Sequence, residues 1–465
     1  MTKAVSEPLL WVEPEDFFVA HVADKARSFW LDGAGGRSWS GSRSYVGWLD
    51  DHEPSVTLHA QSGVVRQHDA WSAYEVGTDI FDVLSEPSGS GDESEAGRWV
   101  GYLGYAARRD LPALVDPNPG AVPDACWLRA QRWVEFDHVE RSVRAVADPD
   151  TLASWQETVA RLVAGTDAAV EPGPPCVVSS ARGMSEVAYA AAFASVQEHL
   201  RRGNSYETNL TFQTAIESST PALETYRRLR RLNPAPYAAY LHHLGTSVLS
   251  SSPERFVKID AERHVETRPI KGTTPRFPDP LADAASAELL RTCDKFRGES
   301  LMIVDLLRND LSRVCDVGSV QVTDLMHVES YATVHQLVST IEGRLRADVS
   351  TVAAVQAIFP GGSMTGAPKE RTMQIIAEVE SGARGVYAGA LGWIDADGSA
   401  DLSIIIRSLV HHRGTYAFGT GGGITVRSEE EEEYAEATWK SARLLQALGA
   451  TSPWPDVAVR GQAAG

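Results

Sequence analysis

Pro269-Ile270-Lys271-Gly272-Thr273-Thr274-Pro275-Arg276 places one lysine between a β-branched residue and a glycine, inside a run of strand and turn formers. The backbone at Lys271 is therefore expected at a strand end. A lysine fixed this way can be a covalent nucleophile if its amine is neutral. The free amine has a pKa of about 10.4, so burial or nearby cations must lower it. Alone, the segment reads more simply as a solvated lysine on a sheet edge. Its weight comes from other segments of the chain.

The 465 residues are 43% hydrophobic and 23% charged, an ordinary composition for a globular protein with a large core. A net charge of −19 argues against a general nucleic-acid binder. It leaves room for an anionic small substrate, because a cation cluster or a metal can reverse the field in one cleft. Cys126, Cys176, Cys293 and Cys315 lie far apart, with neither zinc spacing nor a disulfide framework, which suits a reducing compartment. No apolar run is long enough for a membrane span, and Glu7, Glu13, Glu15 and Asp16 are unlike a signal or transit peptide. The expectation is a cytoplasmic protein that binds neither nucleic acid nor membrane.

The chain changes character near residue 175. Before it, tryptophan-rich β-like runs are broken by turns such as Asp32-Gly33-Ala34-Gly35-Gly36 and by a mobile loop over Ser85–Gly97. A helical pattern near 151–163 follows, then the breaker Glu171-Pro172-Gly173-Pro174-Pro175. Beyond it, Ser185 reads as an N-cap, Tyr189, Phe193, Val196 and Leu200 recur at helical spacing, and Gly203 stops the helix. Residues 404–410 read as a buried strand, and Ser428 as the start of a helix whose acidic run Glu429 to Glu433 suits the dipole.

Four further constellations could carry chemistry. In Ser252-Pro253-Glu254-Arg255-Phe256, Glu254 could share a site with Lys271 on neighbouring strands and protonate a leaving hydroxyl; a plain ion pair is the simpler alternative. Glu299 precedes the helix-like run Val304 to Asp310, and Glu433 and Glu436 share a face of another helix. Carboxylates from two helices facing one cleft would suit Mg²⁺, although such glutamates usually face solvent. Asp305 and Asp310 read as structural groups. Phe359 to Lys369 is a Gly-rich turn into a helix near Pro368, able to offer backbone N–H groups to an anion, but it lacks the P-loop ending. Arg407, after Ile404-Ile405-Ile406, needs an anion if its strand is buried, and Gly421, Gly422 and Gly423 allow close backbone approach to a ligand. His335 alone is more simply a satisfied core histidine.

Together, PIKGTTPR, MIVDLLRND, FPGGSMTGAPK, YAGALGWID and GGGIT resemble the chorismate-utilising enzymes, in order and over about residues 185–448. Residues 1–150 resemble the family's N-terminal region more loosely, through FWLDG at 29–33 and WVGYLGY at 99–105. The resemblance implies an α/β sandwich of two large, mostly antiparallel sheets flanked by helices. Residues 1–175 would contribute strands to the same sandwich as the chorismate-binding region 176–450, with 451–465 a tail.

The resemblance also implies roles. Lys271, Glu254 and His335 would be catalytic, His335 lying near the departing hydroxyl. Glu299, Glu433 and Glu436 would hold Mg²⁺, which would anchor the ring carboxylate. Gly272, Thr273, Tyr387, Arg407, Gly421, Gly422, Gly423 and Lys440 would contact substrate. Water-adding relatives carry a lysine base where this chain has Glu207, which disfavours water activation. Anthranilate synthases carry alanine at Lys271, whereas lysine in a PIKG context is similar to the aminodeoxychorismate synthase component I branch. That branch forms a lysine adduct on chorismate and then a para-amino product, on the route to para-aminobenzoate and folate. Phe296 and Gly298 depart from the family's usual polar residue and alanine.

None of the four cysteines sits in the Gly-x-Cys-x-Gly setting of a glutaminase. Ammonia would come from a separate glutamine amidotransferase subunit or free ammonium. The alternatives are another chorismate reaction, such as anthranilate formation, and a non-catalytic regulatory subunit on the same fold. A binding-only protein need not keep Glu254, Lys271, Glu299, Arg407 and Glu436 together.

Overall fold

The computed structural model describes residues 3–34, 40–85, 97–118, 120–176, 178–331 and 334–454, with the backbone alone for 178–181. The loop expected within Ser85–Gly97, the far end of the Asp32–Gly36 turn and most of 451–465 lie outside the described residues.

Runs of β-branched and aromatic residues build two antiparallel sheets, each of twelve strands among the described residues. Across the first, the order is Ala4–Val5, Ser142–Ala147, Trp133–Asp137, Arg43–Trp48, Arg27–Asp32, Tyr237–His243, Thr246–Ser252, Ser408–His412, Thr415–Ile424, Glu207–Ser218 and Val178–Arg182. The short Gly366–Ala367 strand pairs with the start of Glu207–Ser218. The second sheet runs Ile270–Pro275, Val334–Arg344, His264–Arg268, Arg255–Ile259, Ala400–Ile404, Ala390–Ile394, Arg98–Leu103, Ala125–Ala130, Ser55–His59, Val64–His68 and Ala73–Gly77. Gln321–Ser330 adds to Val334–Arg344. The Pro-rich segment at 171–175 carries no helix or strand, and the chain before it contributes strands to both sheets.

Three apolar layers follow from the alternation of side chains along these strands. Phe29, Tyr102, Leu128 and Leu241 pack between the sheets. On the outer face of the first sheet, Tyr189, Tyr226 and Leu444 dock the helices Glu186–Arg201, Ala222–Leu232 and Glu430–Leu448. On the other side, Ile303, Leu307 and Val355 dock Asp294–Ser312 and Thr351–Ile358. The Glu186 helix starts as its sequence indicates: Ser185 accepts a hydrogen bond from the Ala188 N–H at 3.3 Å.

Two connections matter for the site because they carry the chain between the sheets. At Pro253-Glu254 it leaves Thr246–Ser252 of the first sheet for Arg255–Ile259 of the second. At residues 405–407 it returns from Ala400–Ile404 to Ser408–His412. The expected strand over 404–410 is therefore broken. Arg407 lies in the break with a φ of 52°, a conformation non-glycine residues seldom adopt. The acidic helix begins at Glu430 rather than Ser428, whose hydroxyl instead accepts from the Thr425 N–H at 3.1 Å.

A buried ion pair ties this region together. Arg384 donates to Glu380 at 2.7 Å, to the Met364 carbonyl at 2.6 Å and to the Asn209 carbonyl at 2.7 Å. Glu380 also accepts from the Thr211 N–H and hydroxyl at 2.8 and 2.9 Å. The helix Lys369–Val379, the Gly-rich turn and the strand Glu207–Ser218 are thereby joined. Arg384→Met removes the cation that Glu380 is buried against, leaving it the Thr211 hydrogen bonds alone, and should lower stability by about 3–5 kcal/mol in denaturant unfolding; a loss below about 1 kcal/mol would show that the clasp is dispensable.

Candidate active site

Lys271 is the second residue of Ile270–Pro275, an edge strand paired with Val334–Arg344. The pairing slips between Ile270 and Thr273, and Gly272, between them, has a φ of 86°. A Cβ at Gly272 would lie 2.9 Å from the Phe296 ring, so Phe296 occupies the space that this glycine leaves. Gly298 faces open space. This irregular backbone leaves the Lys271 side chain buried rather than solvated on the sheet edge.

The Lys271 ammonium donates to Glu207 Oε1 at 2.6 Å, and the Glu207 carboxylate is 1% exposed. Glu207 opens the strand Glu207–Ser218 of the first sheet, so the pair bridges the two sheets. Glu207 Oε2 is buried without a hydrogen-bond partner. Gly423 makes the space: it lies one residue from direct register with Thr208, and a Cβ there would overlap Glu207 Oε1. Burial alone would pull the lysine pKa down, but the charges of Glu207, Glu299 and Glu254 outweigh it and raise it above the ordinary value. A lowered lysine pKa, from burial or nearby cations, is what the sequence suggests, with Glu254 alone as a neighbouring carboxylate; the burial is present, but its effect is outweighed. The structure surrounds Lys271 with carboxylates, because three acidic side chains from distant segments face it.

Glu254 sits on the first crossover, 5% exposed, and accepts from the Ser363 hydroxyl at 2.7 Å. Burial drives its pKa up to about 7, with Ser363, Lys271 and Lys440 pulling partway back. Ser363 comes from the Gly-rich turn, which here supplies a side chain to Glu254. Lys369, at the end of that turn, is structural: it pairs with Asp310 at 2.7 Å and donates to the Ile358 carbonyl at 2.6 Å.

Glu299 lies on the helix Asp294–Ser312, and Glu433, Glu436 and Lys440 on Glu430–Leu448. Glu299 is buried, its Oε1 has no hydrogen-bond partner, and burial raises its pKa to about 7. Glu433 Oε1 accepts from Lys295 at 2.8 Å, and Glu436 pairs with Lys440 at 2.7 Å. Lys440 also donates to the Gly421 carbonyl at 2.9 Å. The Lys440 charge is the main cause of the lowered Glu436 pKa, with Lys295 and Arg407 adding to it. Among the described residues, no three His, Cys, Asp or Glu side chains close tightly enough around one point to hold a metal. The donor set still suits a hard cation: three carboxylates from two helices feel the common charge of Lys295, and one presents an unpartnered buried oxygen.

Arg407 makes no hydrogen bond or ion pair among the described residues and lies 5.6 Å from the centre of the Trp439 ring. Burial lowers its pKa, with Tyr387 and Glu436 opposing. Tyr387 is buried against Gly419, where any Cβ would overlap its ring, and burial raises its pKa. Thr273 is half-buried opposite Gln336. His335, opposite Thr274 on the Lys271 strand, is engaged elsewhere: Ser330 Oγ lies 2.8 Å from its Nδ1 and Asp283 Oδ1 lies 3.1 Å from its Nε2.

Lys271 from the second sheet, Glu207 from the first, Glu254 from the crossover between them and Glu299 from the helix Asp294–Ser312 thus form one buried, charged group. The chorismate binding enzyme family matches residues 27–446, and the chain belongs to that family. It is 44% identical over 367 residues to an aminodeoxychorismate synthase of Streptomyces pristinaespiralis, covering 75% of this chain and 50% of that protein. It is 40% identical to one of Streptomyces griseus, covering 97% and 64%. The chain thus spans between half and two-thirds of the length of these two relatives. Against the aminodeoxychorismate synthase component 1 of Klebsiella aerogenes it is 39% identical, covering 75% and 76%. Its fold matches anthranilate synthase component I from Streptococcus pneumoniae with a TM-score of 0.74 at 25% identity, covering 87% and 92%.

Gly423→Ala places a methyl group against Glu207 and should disrupt its pairing with Lys271. The buried methyl group should lower stability by about 1–3 kcal/mol in denaturant unfolding; unchanged stability would show that Glu207 has room to move aside.

Proposed function

We propose that the chain aminates chorismate to 4-amino-4-deoxychorismate through a covalent Lys271 adduct. The observation that carries this reading is Lys271 itself, buried beside Glu254 and Glu207 in a chain related to aminodeoxychorismate synthases from three bacteria. The Lys271 nitrogen would attack ring carbon 2. The two ring double bonds would shift, and the bond from carbon 4 to its hydroxyl would break. Glu254, whose pKa of about 7 keeps much of it protonated near neutrality, would give its proton to the departing hydroxyl. Ammonia would then attack carbon 4 and expel the lysine, leaving nitrogen para to the ring carboxylate.

Glu299, Glu433 and Glu436 would hold Mg²⁺, which when bound would supply positive charge for the ring carboxylate. Arg407, whose guanidinium has no hydrogen bond or ion pair among the described residues, would hold the second carboxylate with Tyr387 and the Gly421–Gly423 backbone. A catalytic part for His335 rests on the family resemblance, since its ring is engaged by Ser330 and Asp283. Ammonia would arrive from a separate glutamine amidotransferase subunit or as free ammonium; the component 1 designation of the Klebsiella relative fits a two-part enzyme.

A second reading is anthranilate formation, favoured by a relative of that designation in Streptomyces coelicolor at 37% identity. Product identity separates the two. Purified protein with chorismate, Mg²⁺ and ammonium should yield the para-amino product by chromatography and mass, and Lys271→Ala should abolish it. An ortho-amino product, or unchanged para-amino product from Lys271→Ala, would refute the reading. Glu436→Gln should raise the Mg²⁺ needed for half-maximal turnover by about tenfold or more; an unchanged titration would remove Glu436 from the metal site. Turnover should fall as pH rises through about 7, as Glu254 loses its proton. A rate that stays flat across that range would take the acid role from Glu254.

A further inference from the structure

Lys271 presents a difficulty that the proposed reaction must solve. The side chain is buried, and its hydrogen-bond partner is a carboxylate at 2.6 Å. An ammonium has no lone pair and cannot attack a ring carbon. The proton has to leave before or during bond formation, and the first acceptor it meets is the group that holds it.

We propose that Glu207 is the general base that takes the Lys271 proton as the amine attacks, a role that rests on the covalent reading above. Three features support it. Glu207 Oε1 already accepts from the Lys271 nitrogen at hydrogen-bond distance, so the transfer needs no rearrangement. The carboxylate is 1% exposed and its second oxygen is unpartnered, so no other hydrogen bond stabilises its charge. Gly423 leaves the space that the carboxylate fills, which fixes Glu207 between the lysine strand and the glycine strand.

The charged groups facing Lys271 come from three elements: Glu207 from its strand, Glu254 from the crossover and Glu299 from the helix Asp294–Ser312. They divide the proton work. Glu254 faces Ser363 and is the acid. Glu299 faces the proposed metal cluster. Glu207 alone is hydrogen-bonded to the nucleophile.

The steps balance. Glu207 takes one proton from Lys271, the freed lone pair forms the bond to carbon 2, and the hydroxyl leaves as water with the proton of Glu254. When ammonia displaces the lysine, the amine leaves neutral and recovers its proton from Glu207. The new ammonium on carbon 4 restores the proton of Glu254. The sum is chorismate plus ammonia giving aminodeoxychorismate plus water.

The alternative is that Glu207 acts as a brake, holding Lys271 charged. The two predict opposite effects of Glu207→Gln. Removing a brake frees the buried amine and speeds adduct formation, whereas removing a base slows it. The experiment follows the adduct by intact-protein mass after rapid mixing with chorismate and Mg²⁺, without ammonium, in wild type, Glu207→Gln and Glu207→Asp. We expect Glu207→Gln to slow adduct formation about a hundredfold or more at a fixed pH below 7. Glu207→Asp should retain an intermediate rate, and chorismate affinity should change little. Adduct formation in Glu207→Gln at or above the wild-type rate would overturn the proposal while leaving the covalent reading intact. A Glu207→Asp as slow as Glu207→Gln, or a Glu207→Gln whose chorismate affinity falls along with its rate, would also overturn it, as the mark of a structural role. Absence of any adduct in wild type would overturn the covalent reading and the proposal with it.

Discussion

The buried contact between Lys271 and Glu207 is the constraint on which the site depends. Taking an ammonium and a carboxylate out of water costs several kcal/mol per ion, and only close mutual contact recovers it. The pair therefore has to be held at short range by both sheets. Glu207 opens a strand of one sheet, Lys271 lies on an edge strand of the other, and Gly423 and Gly272 shape the backbone around them. The sandwich brings two segments 64 residues apart to 2.6 Å.

Around that pair the charges alternate. Glu254, Lys271, Glu207 and Glu299 form one group, and Lys295, Glu433, Glu436 and Lys440 another. Arg407 faces Glu436 from the second crossover. The three lysines of this arrangement each sit against a carboxylate, Lys271 against Glu207, Lys295 against Glu433 and Lys440 against Glu436. For the proposed substrate, chorismate, Arg407 would offer a guanidinium that is not already engaged by a carboxylate.

Much of the architecture was legible in the sequence. The Ser185 N-cap and the apolar stripe of Tyr189 to Leu200 follow from residue type and spacing, while the sandwich of antiparallel sheets was implied by the resemblance that the ordered motifs carry. The electrostatic state of Lys271 was not legible. Local sequence shows a lysine among strand formers, while the carboxylates that face it come from residues 207, 254 and 299, gathered only by tertiary pairing. Ser363 and Lys295 were missed for the same reason: a serine in a Gly-rich turn and a lysine at a helix start carry no signal until their partners are in place. The Ile404–Val410 run misled because a continuous apolar stretch looks alike whether it stays in one sheet or crosses to another. The left-handed turn at Arg407 that makes the crossing has no glycine to announce it.

The proposed reaction turns on Lys271 forming a bond to the ring. Its most direct test is peptide mapping by mass spectrometry of protein quenched after mixing with chorismate and Mg²⁺ in the absence of ammonium. The predicted result is a chorismate-derived mass, less one water, on the peptide that carries Lys271, lost again when ammonium is added before quenching. An unmodified Lys271 peptide at every time, from protein that goes on to make the para-amino product once ammonium is supplied, would contradict it.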